Sequence, residues 1–256
     1  ADGVLEEVKV KEGTGAHEVV TKRIVQDMNK SYFPVKTIIP STEIVHDRVM
    51  LELFRGCIRG CRFCQAGMIY RPVRERKMDR LMELAEKLVS STGYDEISLS
   101  SLSTSDYTHL EELMEKLAVV RRSSLTFAPE AGTQRLRDAI NKNLYEEDLM
   151  NAVRLAFEGG KSMVKLYFMN GLPTETLDDI EGIANLSKKV VEEYFKLPKP
   201  ERPRGLGVTI SVACFVPKPF TPFQWEKQDS FETLIEKQEH LKKCITDKRI
   251  RYTYHD

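Results

Sequence analysis

Three cysteines lie within eight residues, spaced Cys57-x3-Cys61-x2-Cys64, in the loop Arg55-Gly56-Cys57-Ile58-Arg59-Gly60-Cys61-Arg62-Phe63-Cys64. Three thiolates this close can each bind one iron of a [4Fe–4S] cubane, leaving the fourth iron a vacant position. Such clusters usually take four cysteines, so a set of three marks a reactive centre rather than a closed one. Gly56 and Gly60 let the backbone wrap closely, and loop N–H groups with Arg59 and Arg62 can offset the negative charge of a cluster. Other metals and roles remain open at this level. A structural zinc would need His46 or His109 as a fourth ligand, although zinc ligands usually come as two separate couples. An electron-transfer ferredoxin would need four ligands. Three metal-free core thiols would suit an apolar segment better than this polar, glycine-rich one.

The elements that must position this loop alternate along the chain. An apolar run, Val49 to Phe54, ends at the cysteines. Met78 to Ser90 has helical spacing and meets a stop at Gly93. Ile97 to Leu102 reads as a strand followed by a Ser/Thr/Asp stretch, His109 to Leu117 as a helix, and Leu125 to Ala128 as a strand entering Pro129-Glu130-Ala131-Gly132. Glu146 to Glu158 is a helix closed by Gly159-Gly160. Met163 to Met169 is a strand apolar enough for burial on both faces, running into Gly171-Leu172-Pro173-Thr174-Glu175. Asp178 to Phe195 is a helix opened by acidic residues, which suit its positive end. Leu206 to Val216 is the last clear core strand, Ser230 to Ile245 the last helix, and Arg249 to Tyr254 an edge strand. Repeated strand–helix units imply a parallel sheet, and the unusual motifs all follow strands, the end at which parallel barrels hold ligands. Residues 1–45 fall outside the alternation and read as a lead-in to a barrel core over 46–256.

Lysine plus arginine and aspartate plus glutamate number 39 each, so net charge argues for neither broad nucleic-acid binding nor a membrane surface. No apolar run reaches the ~18 residues of a membrane span. The start carries no basic and apolar leader, and five cysteines, three of them clustered, make a poor disulfide framework; a cytoplasmic protein is expected. The missing initiator methionine suggests a processed or excerpted chain. Cys214 and Cys244 read as core thiols, and His17, His46, His109, His240 and His255 have no ligand spacing.

The cysteine loop resembles that of the radical S-adenosylmethionine (SAM) superfamily. Phe54-Arg55-Gly56-Cys57, Cys64-Gln65-Ala66-Gly67-Met68-Ile69-Tyr70-Arg71-Pro72, Leu125 to Thr133 and Lys165 to Glu175, with Gly13-Thr14-Gly15-Ala16-His17 before them, are similar to cobalamin-domain-linked members of unassigned substrate. The resemblance implies an α/β fold, a partial (β/α)6 TIM-like barrel, and an enzyme that reductively cleaves SAM to a 5′-deoxyadenosyl radical. By the same resemblance Cys57, Cys61 and Cys64 hold the cluster, Phe63 lies beside adenine, and Ser101 and Ser103, with Ser100 and Thr104, face the methionine amino group. Glu130 holds the ribose or methionine end, Gly171, Pro173 and Glu175 approach adenine, and Arg71, with Tyr70 and Arg74, touches SAM or substrate. Local alternatives stand beside these roles: Glu130 as a helix cap, Gly171 and Pro173 as turn residues, and Arg71, Arg74 and Arg76 as a solvated face.

An external flavodoxin- or ferredoxin-type electron donor is implied, and RNA, protein and small-molecule substrates are all compatible. Cobalamin would enter only through a domain absent here. From another class, the rival function is a non-catalytic iron–sulfur scaffold or electron-transfer module. Five core strands are visible where the barrel has six. The third strand–helix unit has no counterpart between Met114 and Leu117, through omission or deletion of a segment.

Overall fold

Leu81, Leu84 and Leu88 recur at helical spacing and face the alternate residues Val49, Leu51 and Ile97 across one apolar layer. The computed structural model describes residues 9–117 and 125–254. Its first half contains β1 (Val49–Glu52), β2 (Phe54–Arg55), α1 (Gln65–Ile69), β3 (Arg74–Glu75), α2 (Met78–Thr92), β4 (Ile97–Ser100) and α3 (Leu110–Lys116). After residue 124 come β5 (Leu125–Glu130), α4 (Gln134–Ala139), α5 (Glu146–Glu158), β6 (Met163–Asn170), α6 (Leu177–Lys196), β7 (Gly207–Cys214), α7 (Phe231–Cys244) and β8 (Ile250–Tyr254).

The described strands form a parallel β1–β4 pair, a short antiparallel β2–β3 pair and a fully parallel four-stranded sheet in the order β5-β6-β7-β8. The fold is therefore α/β with parallel sheets, as expected. Residues 250–254 do form an edge strand, paired with β7, which brings the described parallel strands of the two sheets to six. No pairing joins β4 to β5 among the described residues, so the sheet divides where the sequence lacks a strand–helix unit. Leu117 ends α3, and residues 118–124 lie outside the described part.

β6 corrects one expectation. It is buried on one face rather than two: Val164, Leu166 and Phe168 join Leu149, Val153 and Phe157 of α5 and Ile180, Ile183 and Val190 of α6, while Met163 and Tyr167 on the other face are exposed. A second correction concerns Arg76, which is no part of a solvated face. It is 1% exposed, donates to the Glu52 and Met28 carbonyls and to the Glu52 carboxylate, and stacks 5.0 Å from the Phe33 ring centre. Its charge is tolerated because every partner is in place. Through Arg76, the lead-in is fastened to β1 at Met28 and Phe33. Among the described residues no helix is long and apolar enough to cross a membrane.

α6 begins with a capping box, in which Asp179 accepts from the backbone N–H and hydroxyl of Thr176, both at 2.8 Å. Asp179 also accepts from Thr133 and Arg135, so one carboxylate, 2% exposed, ties the loop after β5 to α6. Burial alone would raise this carboxyl, but the four donors outweigh it and hold it below the ordinary 3.8. Its contribution to stability is complete at neutral pH and is lost as acid takes the solution below 3.8 towards the lowered folded value. Asp179→Ala should cost about 2–4 kcal/mol in denaturant unfolding and flatten the acid limb of stability against pH. An unchanged acid limb would contradict this role.

Candidate active site

The cysteine loop leaves β2 at Gly56, whose φ of 98° and surroundings both require glycine: an added Cβ would lie 2.6 Å from the Pro72 carbonyl and 2.8 Å from that of Tyr70. Gly60 has φ of 71°, and a Cβ there would lie 3.2 Å from the Arg71 guanidinium. Arg71 is thus placed against the loop. Arg74 folds back onto the carbonyls of Pro72 and Tyr70.

Three neighbouring segments fix the loop. Arg59 donates to Asp106 (Nε–Oδ2 2.9 Å) in the loop after β4 and lends its backbone N–H to the Cys57 sulfur at 3.5 Å. Behind α4, Asn141 donates to the Gly60 carbonyl at 2.9 Å, while Arg62 bonds the carbonyls of Ile140 and Ala139. After β7, Pro219 accepts from Gln65 at 3.1 Å and Phe223 donates its N–H to the Arg62 carbonyl at 3.2 Å. Of the strand-end motifs expected to converge, the Ser/Thr/Asp stretch is joined to this loop by hydrogen bonds, through Asp106. Phe63 packs against an apolar cluster of Ala131, Leu136, Ile140, Leu172, Phe215 and Phe223, so Leu172 carries the Gly171–Glu175 segment to the same place.

Cys61 is buried, while Cys57 and Cys64 are half-buried. Burial pushes the Cys61 thiol up and Lys142 pulls it back, with Cys64, Glu130 and Cys57 adding to the rise. Glu130 stands in the left-handed region at φ of 68°, unusual for a residue with a side chain and a mark of a constrained site. It does not cap α4; the Thr133 hydroxyl accepts from the Leu136 N–H in that role. Burial raises the Glu130 carboxyl above its ordinary value, opposed by Lys142 (Nζ–Oε1 3.4 Å) and Lys218. Lys142, Lys218 and Asn141 belong to the neighbourhood and carried no motif in the sequence. The pair Asn141 and Asn143, a residue type that tolerates the left-handed backbone both adopt (φ 55° and 49°), was the available hint of a special turn.

The serine stretch adjoins the loop through Asp106, whose N–H bonds the Ser103 carbonyl, and Ser101 shares a 2.9 Å hydroxyl contact with Thr104. Gly171 has φ of 78° and Pro173 lies in the turn closed by the Glu175 N–H on the Leu172 carbonyl. The Glu175 carboxylate accepts from the Gly171 N–H at 2.7 Å and from Lys237 at 2.8 Å, and its side chain is 1% exposed. Burial raises this carboxyl, partly offset by Lys237. Through these bonds it braces the Gly171 turn and ties it to α7.

The donor set fits a four-iron cluster better than a single ion. Neither histidine weighed as a fourth ligand joins the cysteines, since His46 bonds Arg48 and His109 packs on Tyr107. Among the described residues the three loop sulfurs are not gathered with a further ligand inside the 4.8 Å span of a mononuclear site, as thiolates on three separate irons would not be.

Residues 51–121, which include the whole loop, match the model of the radical SAM superfamily. The uncharacterized protein MJ0966 of Methanocaldococcus jannaschii is 35% identical over 267 residues, covering 92% of this chain and 57% of the relative. That alignment is longer than the 256-residue chain, so the relative carries residues without a counterpart here. Among solved structures, the radical SAM methyltransferase TsrM from Kitasatospora setae, with tryptophan and the SAM analogue aza-SAM bound, is 13% identical with a TM-score of 0.54 over 70% of this chain and 38% of its own. TsrM with cobalamin and a [4Fe–4S] cluster bound gives 14% and 0.49 over 70% and 39%. The chain spans little more than half of the curated relative and under two fifths of TsrM.

Proposed function

We propose, from the match of residues 51–121 to the radical SAM superfamily model, that this chain is a radical SAM enzyme that binds a [4Fe–4S] cluster through Cys57, Cys61 and Cys64 and uses it to cleave SAM. The observation that carries this reading is the three-cysteine loop inside the matched residues, with no protein ligand placed to close the set among the described residues. Cys57, Cys61 and Cys64 would hold the cluster, whose chemistry there would be one-electron reduction of the sulfonium, with carbon–sulfur cleavage to methionine and a 5′-deoxyadenosyl radical for use on a substrate.

The chain's own residues bind, orient and shield. Arg59 directs its N–H at the Cys57 sulfur and is steadied by Asp106, which fits a loop built to carry negative charge. Glu130, paired with Lys142 beside Cys61, is positioned for the ammonium or ribose end of SAM, and Arg71 beside Gly60 for an anionic group. Phe63 offers a ring face near the Gly171–Pro173 turn for a purine. Ser101 and Ser103, in the stretch tied to the loop through Asp106, would supply hydroxyl and carbonyl acceptors. A flavodoxin- or ferredoxin-type protein would deliver the electron.

The direct test is anaerobic assembly of the cluster on the full chain, followed by SAM and dithionite, with 5′-deoxyadenosine measured by mass spectrometry. Reductant-dependent 5′-deoxyadenosine and a SAM-induced change in the cluster spectrum are expected. An intact cluster giving neither would assign the chain to the scaffold class instead.

A further inference from the structure

Away from the cysteine loop, three ligand-bearing side chains meet on the outer face, where α6 lies against α7. Glu181 comes from α6, and His240 and Cys244 from successive turns of α7, so the latter two share one helix face. His240 Nε2 stands 2.9 Å from Glu181 Oε1, and one ligand atom from each of the three residues lies within 4.8 Å of the others. We propose that Glu181, His240 and Cys244 form a second metal site, for a borderline divalent cation of which zinc is the best match.

The donor types decide the class of ion. One imidazole nitrogen, one thiolate sulfur and one carboxylate oxygen suit zinc and disfavour magnesium and calcium, which prefer oxygen alone. An isolated His240–Glu181 ion pair on the surface would contribute little. The thiol is what turns the pair into a three-point site. Cys244 also packs against the edge of the main apolar core and lines a cavity of about 480 Å³ shared with Asn185, Lys188 and Asp247. Asp247 is already committed to Arg249 at 2.6–2.9 Å, so the fourth position opens onto space that water can fill. Binding replaces the Cys244 thiol proton, released to solvent, and requires no redox partner.

The site would act as a clamp. His240 is three residues beyond Lys237, which holds both Glu175 and Asp229 beneath the Gly171 turn, and Glu181 is two residues beyond Asp179 at the start of α6. An ion joining α6 to α7 would brace the two helices that carry the anchors of that turn.

Cobalt(II) is the probe, because thiolate ligation gives it a near-ultraviolet charge-transfer band. The full chain with Cys57, Cys61 and Cys64 all changed to serine removes competing loop thiols. It should bind about one equivalent with that band, displaceable by zinc, and the band should vanish when Cys244→Ser is added. A folded triple variant without the band, or a band that survives Cys244→Ser, would overturn the proposal. Should the triple variant fail to fold, zinc in the cluster-loaded full chain decides. About one zinc per chain should persist through gel filtration and be lost in His240→Ala with iron content unchanged; equal zinc in both proteins would also overturn the site.

Discussion

Cys61→Ala should lose both the iron–sulfur cluster and SAM cleavage while keeping its far-ultraviolet circular dichroism. Cys61 is the most buried of the three loop thiols, at 6% exposure, and sits where Glu130 and Lys142 converge. Removing it leaves two loop sulfurs, and the remaining cysteines are placed in other packing, Cys214 in β7 bonded to Gln238 and Cys244 in α7 against the main apolar core. Loss of even an outer partner of a metal ligand typically costs about 10–100-fold, so loss of a ligand should take cleavage to background. Iron content and 5′-deoxyadenosine measured on the same preparation separate the outcomes. Cys214→Ala is the matching control, expected to retain both. Cleavage retained in Cys61→Ala would defeat the ligand assignment outright.

The sequence was most legible where the signal is local. α5 begins at Glu146 and ends at Glu158, as acidic residues at one end and Gly159-Gly160 at the other required, and α2 stops at Gly93 in the left-handed conformation. The cysteine loop was legible for the same reason, its information being spacing along one short segment. What the sequence hid depends on distant backbone. Arg76 and Arg137 look like surface charges, yet both are 1% exposed and bond carbonyls, Met28 for one and Ala131 and Gly132 for the other. No local pattern announces which carbonyls a folded chain will turn inward. α1 and α4, at five and six residues, are too short to display a helical period, and β2 and β3 pair over two residues each. Glu175 was identified as part of a ligand loop, but its carboxylate serves Gly171 and Lys237, a distinction that only side-chain direction makes.

Gly132→Ala should be among the most destabilising single methyl additions in the molecule, by about 2–4 kcal/mol. The Cβ would lie 2.2 Å from the Ile183 nitrogen, 2.4 Å from the Asp179 carbonyl oxygen and 2.5 Å from the Gly182 carbonyl carbon. All three are backbone atoms of α6, so no rotamer change can relieve the clash. Gly182 faces it from the helix side, where an added Cβ would lie 2.9 Å from the Gly132 carbonyl carbon. The two glycines let the loop after β5 press directly on α6, and Asp179 then bonds Thr133 and Arg135 across the contact. Separating these segments by even one methyl strains the four bonds to Asp179 and moves the chain two residues from Glu130. The variant should therefore lower the denaturant midpoint and, where folded, weaken SAM cleavage more than cluster content. Gly67→Ala is the steric control: it lies in α1 with nothing within 4 Å of its added Cβ, and should be neutral or stabilising by up to ~1 kcal/mol. A Gly132→Ala midpoint equal to that of the unaltered chain would mean that the loop and α6 do not pack in this way.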